Sequence, residues 1–334
     1  MTDAAPARLR DLVGRLEALA ARRLATRPRA GSASTRAQQL VAHLAGHVRV
    51  RADSLDAPLV VLLLGPTGAG KSSLFNTIAG REASQTGALR PTTRVAVVLV
   101  HPEDRDTLLH GALAGVRADQ LQIVEDRSIE TGVALVDAPD IDSIEHANRE
   151  LADRLVEAAD LCLFVTTATR YADRVPWAVL DRVRERGLPL MVVVNRMPDD
   201  AADHREVIDD VRRLLSEAAL GEALESSRLE QGDQAPAATD GTHPPVEVLA
   251  VREGDIEPGG TRLLPGPIAP ITEHITRLRA DRDARVALAA RALAGSLAGL
   301  GESIERIADD ADHEAIDVEA LRRIAGQAYE TNLK

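Results

Sequence analysis

"LLLGPTGAGKSSLFNTIAG" occupies residues 62–80, and its reading decides the fold. An apolar run feeds a glycine-rich turn, and the turn feeds a helical stretch stopped by Gly80. Gly65-Pro66-Thr67-Gly68-Ala69-Gly70-Lys71-Ser72 fits G-x-x-x-x-G-K-[ST] in the strand–turn–helix context that gives the pattern its meaning. Backbone N–H groups of such a loop curl around a β-phosphate, and the helix N-terminus adds partial positive charge. Gly65, Pro66, Gly68, Ala69, Gly70, Lys71, Ser72 and Ser73 are therefore the expected phosphate-binding residues. Lys71 is expected to reach the β- and γ-phosphates, and Ser72 to place its hydroxyl on Mg²⁺. The segment implies a nucleoside triphosphate as ligand.

Composition singles out the same lysine. The chain has 40 Lys plus Arg, yet only Lys71 and the terminal Lys334 are lysines. Arginine serves wherever a generic positive charge suffices. An ammonium on a thin stem can run along the loop and touch two phosphates, whereas a planar guanidinium would crowd it.

A chain of 334 residues accommodates a domain of about 200 residues with attachments. Its core must be built from Ala, Leu, Val and Ile, because aromatics make up only 1%. A net charge of −12 argues against wrapping nucleic acid through a general electrostatic footprint, and so few aromatics make no base-stacking platform. The single cysteine, Cys162, lies in the apolar run "LCLFV", where a buried structural thiol in a reducing cytosol is expected. No signal peptide opens the chain, and no apolar run approaches the roughly 18 residues of a membrane span. A cytoplasmic location, or a peripheral one at the inner face of the cell membrane, is expected.

Outward from the loop, apolar β-branched runs recur at 94–100, 132–137, 159–167, 189–196 and 246–251, with helix-like stretches such as 146–158, 174–186 and 203–219 between most of them. Strands alternating with helices predict an α/β fold, a mainly parallel sheet covered on both faces. Residues 7–26 predict an amphipathic helix with Leu9, Leu12, Leu16 and Leu19 on one stripe, and a second helix is expected over 35–50. Near the other end, Val286, Ala290, Leu293, Leu297, Leu300, Ile304, Ile307 and Ala311 form a heptad seam. The two ends are expected to pack together as a helical bundle. The division is thus 1–56 for the N-terminal bundle helices, 57–280 for the sheet domain with a mobile loop over 221–245, and 281–334 for the C-terminal helices.

"GKSSLFN", with its second serine and Asn76, resembles the translation-factor-related GTPase class, and the resemblance implies GTP or GDP as the nucleotide. The magnesium-contacting threonine of the first switch is expected at Thr93 in "RPTTR", with Thr92 in reserve. "ALVDAPDID" places Asp137 at a strand end, where it would hold Mg²⁺ through water. The glycine expected three residues on is Asp140, whose carboxylate would repel a γ-phosphate unless turned away or bound to metal. The next residue, where a water-orienting Gln is usual, is Ile141. Slow turnover follows, with help from the loop backbone, Thr67, a cation or a partner. Lys71, Thr67 and Thr93 are the expected catalytic groups, and Ser72, Thr93 and Asp137 the metal-linked ones. In "VVVNRMPDD", Asn195, Arg196 and Asp199 are the base-reading candidates, although Pro198 occupies the usual aspartate position.

The segments "GPTGAGKSSLFN", "RPTTR", "DAPDIDS", "TTATRYADRVPW" and "VVVNRMP" together resemble bacterial dynamin-like GTPases of the actinobacterial type, within the TRAFAC class, over roughly residues 57–280. The resemblance implies nucleotide-dependent pairing of G domains, as a homodimer or a heterodimer with a paralogue, and a role in membrane remodelling or division. It also implies that membrane is reached through a longer native chain or a partner. An Era-type regulatory switch acting on RNA or ribosomes, and a non-hydrolysing nucleotide-binding module, are the alternatives.

Four other features bear on function. Residues 7–30 carry seven arginines against Asp11 and Glu17, which suits the solvated face of a bundle helix or a membrane surface. Tyr171 and Trp177 would line a G-domain dimer surface or cap the local core. Arg170 and Arg174 are the nearest candidates for a catalytic cation. The nine histidines show no metal-ligand spacing.

Overall fold

The computed structural model describes residues 4–25, 32–85, 95–143, 145–230 and 246–332. Its strands are β1 (Leu59–Leu64), β2 (Ala96–Val100), β3 (Leu121–Glu125), β4 (Val133–Asp137), β5 (Leu161–Thr167), β6 (Leu190–Met197) and β7 (Glu247–Arg252). Its helices are α1 (Ala4–Ala25), α2 (Ser32–His43), α3 (Arg49–Asp53), α4 (Lys71–Ala79), α5 (Pro102–His110), α6 (His146–Ala158), α7 (Arg174–Glu185), α8 (Ala201–Glu230), α9 (Ala269–Ala280) and α10 (Arg282–Asn332).

The seven strands form one sheet in the order β3-β2-β4-β1-β5-β6-β7. Pairings are parallel except β2 with β4, so β2 and its parallel neighbour β3 run against the rest. β1 reads as unbroken aliphatic sequence because it is central and buried on both faces. Val60, Leu62 and Leu64 pack with side chains of α6, α7 and α8, while Leu59, Val61 and Leu63 face those of α4, α9 and the start of α10. This is an α/β architecture, a mainly parallel sheet covered by helices, with the glycine loop emerging from the middle of the sheet. Cys162 is fully buried in β5, and burial pushes its thiol up to about 12, as befits a structural side chain.

A third apolar cluster joins Val13 and Ala20 of α1, Leu44, Val48 and Ala52, and Leu293 and Leu300 of α10. The stripe on α1 is therefore Leu9–Val13–Leu16–Ala20, and the expected Leu12 and Leu19 are exposed, at 47% and 60%. On α10 the buried line runs through Ala289, Leu293, Ser296 and Leu300, whereas Ala290 and Ile304 of the expected seam face solvent.

Three further expectations change. The second helix is interrupted at residues 44–48 by a π-helical turn containing Gly46. β3 was absent from the apolar runs because "LQIVE" is a half-exposed edge strand. Residues 221–230, expected to open a mobile loop, continue α8, and residues 231–245 lie outside the described residues.

Where the N-terminal helices meet the sheet domain, a polar cluster is buried. Arg51 donates from Nε to Asp160 Oδ1 at 2.7 Å, from Nη2 to Asp160 Oδ2 at 2.5 Å, and from Nη1 to the Ala57 carbonyl at 2.6 Å. His43 Nδ1 lies 2.8 Å from Glu157 Oε2, and Arg186 Nε lies 3.5 Å from the same oxygen. The His43 and His47 rings stack at 5.9 Å. Burial first, and then the charge of Arg186, hold both histidines below their ordinary value, so both are neutral in the fold. The unfolded chain protonates them near pH 6.5 and binds protons the fold rejects. Stability is thus complete above about pH 6.5 and falls as pH drops below it. Urea unfolding should give a lower midpoint at pH 5.5 than at pH 7.5, with a smaller gap in His47→Gln. An unchanged gap in that variant would remove His47 from the account.

Candidate nucleotide-binding site

The loop between β1 and α4 is shaped by what lies behind it. Gly70 sits at φ +98°, and a Cβ there would meet Asn195 Nδ2 at 2.3 Å. A Cβ at Gly65 would meet the Val165 carbonyl oxygen of β5 at 2.0 Å. Glycine is required at both positions, by close approach as well as by backbone angle. Pro66 and Ala69 are buried, Thr67 and Gly68 are exposed at the tip, and Ser73 lies half-buried in the first turn of α4.

Lys71 lies back along the loop. Its Nζ donates to the carbonyls of Gly65 at 2.9 Å and Pro66 at 3.1 Å, and to Asp140 Oδ1 at 2.6 Å. Asp140 is neither turned away nor free to repel a phosphate; it pairs with the lysine that would bind one. Ser72 Oγ donates to Asp137 Oδ2 at 2.6 Å, and Ser84 Oγ to the same oxygen at 2.7 Å. A hydroxyl and a carboxylate side by side at a helix N-terminus are the hard oxygen donors that Mg²⁺ takes, so these residues fit that ion. Thr93 and Thr92 lie outside the described residues.

Beyond Asp140, Ile141 is buried in the core, and its N–H points to the Gly65 carbonyl at 3.4 Å. Asp142 then returns to the loop: its Oδ1 accepts from the Thr67 N–H and from Thr67 Oγ1, each at 2.8 Å. Its Oδ2 accepts from Arg170 Nη2 at 2.8 Å. Burial pushes the Asp142 carboxyl up, but the Thr67 donors and Arg170 outweigh it and hold the group below its ordinary value. Asp142 and Ser84 were missed in the sequence. Asp142 stands in a quoted motif, as the second of two carboxylates after the strand, but Ser84 carries no local signal.

Asn76 explains why "SLFN" ends as it does. It is fully buried; its Oδ1 accepts the N–H groups of Ala83 and Ser84, and its Nδ2 donates to the Ser84 carbonyl at 2.8 Å. Asn76 therefore sets the chain after α4 and positions Ser84 over Asp137.

At the other end of the site, Asn195, two residues before the end of β6, donates from Nδ2 to the Ala69 carbonyl at 2.9 Å, while its Oδ1 accepts the Arg196 N–H at 2.8 Å. Arg196 is exposed and has a φ of 53°, the only non-glycine positive φ among the described residues. A register shift between Val194 and Met197 accompanies it. This kink falls between Asn195 and Pro198, and Asp199 beyond it is exposed. The structure thus brings Asn195 to the loop and leaves Asp199 at the surface. Tyr171 and Trp177 cap the core: Tyr171 Oη donates to Asp210 Oδ2 at 2.8 Å, and Trp177 Nε1 donates to the Tyr171 carbonyl at 2.5 Å. Arg174 is exposed at the start of α7.

Residues 60–196 match the family model described as "50S ribosome-binding GTPase". The chain is similar to the tRNA modification GTPase MnmE of Phenylobacterium zucineum (strain HLK1), 28% identical over 173 residues that cover 51% of this chain and 38% of that protein. It is similar also to GTPase Era of Actinobacillus pleuropneumoniae serotype 5b (strain L20), 25% identical over 164 residues that cover 49% of this chain and 47% of that one. It spans less than half the length of either relative. A solved structure described as an oligomerised bacterial dynamin pair aligns over 97% of this chain and 50% of its own, with 12% identity and a TM-score of 0.44.

Proposed function

We propose that this chain, whose residues 60–196 form a P-loop GTPase domain, binds GTP and GDP with Mg²⁺ and hydrolyses GTP slowly. The observation that carries the reading is the convergence of Lys71 Nζ, the Ser72 hydroxyl and the Asp137 carboxylate at one glycine-shaped loop. Ser72 and Asp137 would hold Mg²⁺, which when bound would supply charge neutralisation for the transferring phosphoryl group. Lys71 binds the β- and γ-phosphates, the loop Gly65–Ser73 wraps them with the N–H groups of its residues other than Pro66, and Asn195 holds the loop while facing the base. Arg196 and Asp199 flank that base. With Ile141 in place of a water-orienting glutamine, unaided turnover is slow.

The finer reading is a dynamin-like GTPase whose G domains pair when nucleotide is bound, serving membrane remodelling or division at the inner face of the cell membrane. The quoted motifs support it, and so does the apolar cluster to which α1, the 44–52 segment and α10 all contribute. No described helix is long and apolar enough to cross a membrane. A regulatory switch of the Era type is the second reading, favoured by the curated relatives. The charge of −12 weighs against its acting on RNA through general electrostatics.

Calorimetric titration with GDP, GTP and ATP tests nucleotide identity. Guanine nucleotides should bind and ATP should bind roughly 100-fold more weakly or not at all, since a site built to hydrogen-bond one base rejects another. Equal affinity for ATP and GTP would remove the guanine assignment. Specific activity that climbs with enzyme concentration favours the pairing reading, and a flat profile favours the switch.

A further inference from the structure

Asp142 occupies a place built for an anion. The Thr67 N–H and hydroxyl meet one of its oxygens and Arg170 Nη2 meets the other, all at 2.8 Å. Arg170 enters from the loop after β5 and is held on two more sides. Its Nε donates to Asp173 Oδ2 at 2.9 Å, and its Nη1 donates to the Thr67 carbonyl at 3.1 Å. The guanidinium therefore rests against the tip of the phosphate loop while its side chain remains 36% exposed. Four residues on from Thr67, at the start of α4, Lys71 is paired with Asp140. Two carboxylates of one short segment thus satisfy the two cations at the γ-phosphate end of the loop.

We propose, resting on the GTPase reading above, that Arg170 is a catalytic arginine acting within its own chain, and that Asp142 holds its place until a γ-phosphate arrives. A γ-phosphate brings three oxygens and more charge than a carboxylate, so it outcompetes Asp142 for the Thr67 N–H and for the guanidinium fork. Arg170 stays where it is and changes anion. In the reaction, water oxygen forms a bond to the γ-phosphorus as the bond to the β–γ bridging oxygen breaks. The electron pair goes to GDP, and the proton lost by water ends on phosphate or solvent. Arg170 neutralises the charge on the γ-oxygens through that passage. GDP has no γ-phosphate, so it leaves Asp142 and Arg170 paired.

The test separates GDP from a non-hydrolysable GTP analogue, both titrated with Mg²⁺ into the full chain. Arg170→Ala should lower kcat by about 100-fold or more and weaken the analogue roughly tenfold, with GDP affinity within about twofold of wild type. Asp142→Asn removes the competing charge and should tighten the analogue several-fold, again without moving GDP. A near-normal kcat in Arg170→Ala, or equal losses for GDP and analogue in it, would overturn the proposal, since the arginine would then only brace the loop. The affinity split decides the matter even where turnover is too slow to follow. If the wild-type chain binds neither nucleotide, the GTPase reading itself fails; if it binds both and the split is missing, only Arg170 is wrong.

Discussion

Lys71→Ala should bind neither GDP nor GTP at concentrations that saturate the wild-type chain. The ammonium is the only lysine of the loop and makes its contacts as a point charge, so no neighbouring arginine replaces it. Losing charge-assisted contacts to two phosphates weakens binding on the order of a thousandfold or more, about 4 kcal/mol. The nucleotide-free variant should also be less stable. Lys71 and Asp140 are both buried and 2.6 Å apart, and removing one partner of a buried pair strands the other at a cost of about 3–5 kcal/mol. The two effects separate in Lys71→Ala/Asp140→Asn, which should regain much of the stability and none of the binding. Calorimetry and thermal unfolding read them independently. Normal GTP affinity in Lys71→Ala would overturn the assignment of the site.

What could be seen in the sequence was whatever local order encodes. β1, the glycine loop and α4 are contiguous, and each announces itself by its own period or residue type. The carboxylates of "DAPDID" were visible as a departure from the usual glycine, but their destination was not. Asp140 meets Lys71 across 69 positions and Asp142 meets Thr67 across 75, distances over which spacing carries no signal. Burial also hid information. Leu12 and Leu19 were read as core because leucine is the strongest apolar marker, yet the close-packed face of α1 is set by Val13 and Ala20. β3 escaped because an edge strand exposes alternate residues and so lacks a continuous apolar run. The kink at Arg196 is a backbone conformation that its residue type disfavours, and it is imposed by tertiary context at Asn195.

Asp160→Ala should cause the largest loss of stability of any single change outside the phosphate loop. Asp160 accepts from Nε and Nη2 along one edge of the Arg51 guanidinium and from the Val60 N–H at 2.8 Å, all out of contact with water. Removing the carboxylate strands a fully buried cation beside Arg186 and the stacked histidines, about 3–5 kcal/mol, and leaves a buried N–H unpaired, about 1–3 kcal/mol more. For a domain of this size each kcal/mol moves Tm by about 2–4 °C, so a fall on the order of 10 °C or more is expected. Arg51→Met/Asp160→Asn should lose less than Asp160→Ala, because the charge leaves together with its partner and Asn still accepts from Val60. The loss should reach the nucleotide site as well. Arg51 ties the Ala57 and Pro58 carbonyls that lead into β1, and Asp160 immediately precedes β5, whose Val165 carbonyl backs Gly65 and which leads on to Arg170. Nucleotide binding to the folded fraction should therefore weaken along with Tm in Asp160→Ala and recover in the double variant. A Tm within about 2 °C of wild type would mean that the cluster is wetter than its burial implies, and that the N-terminal helices do not brace the strands that carry the loop.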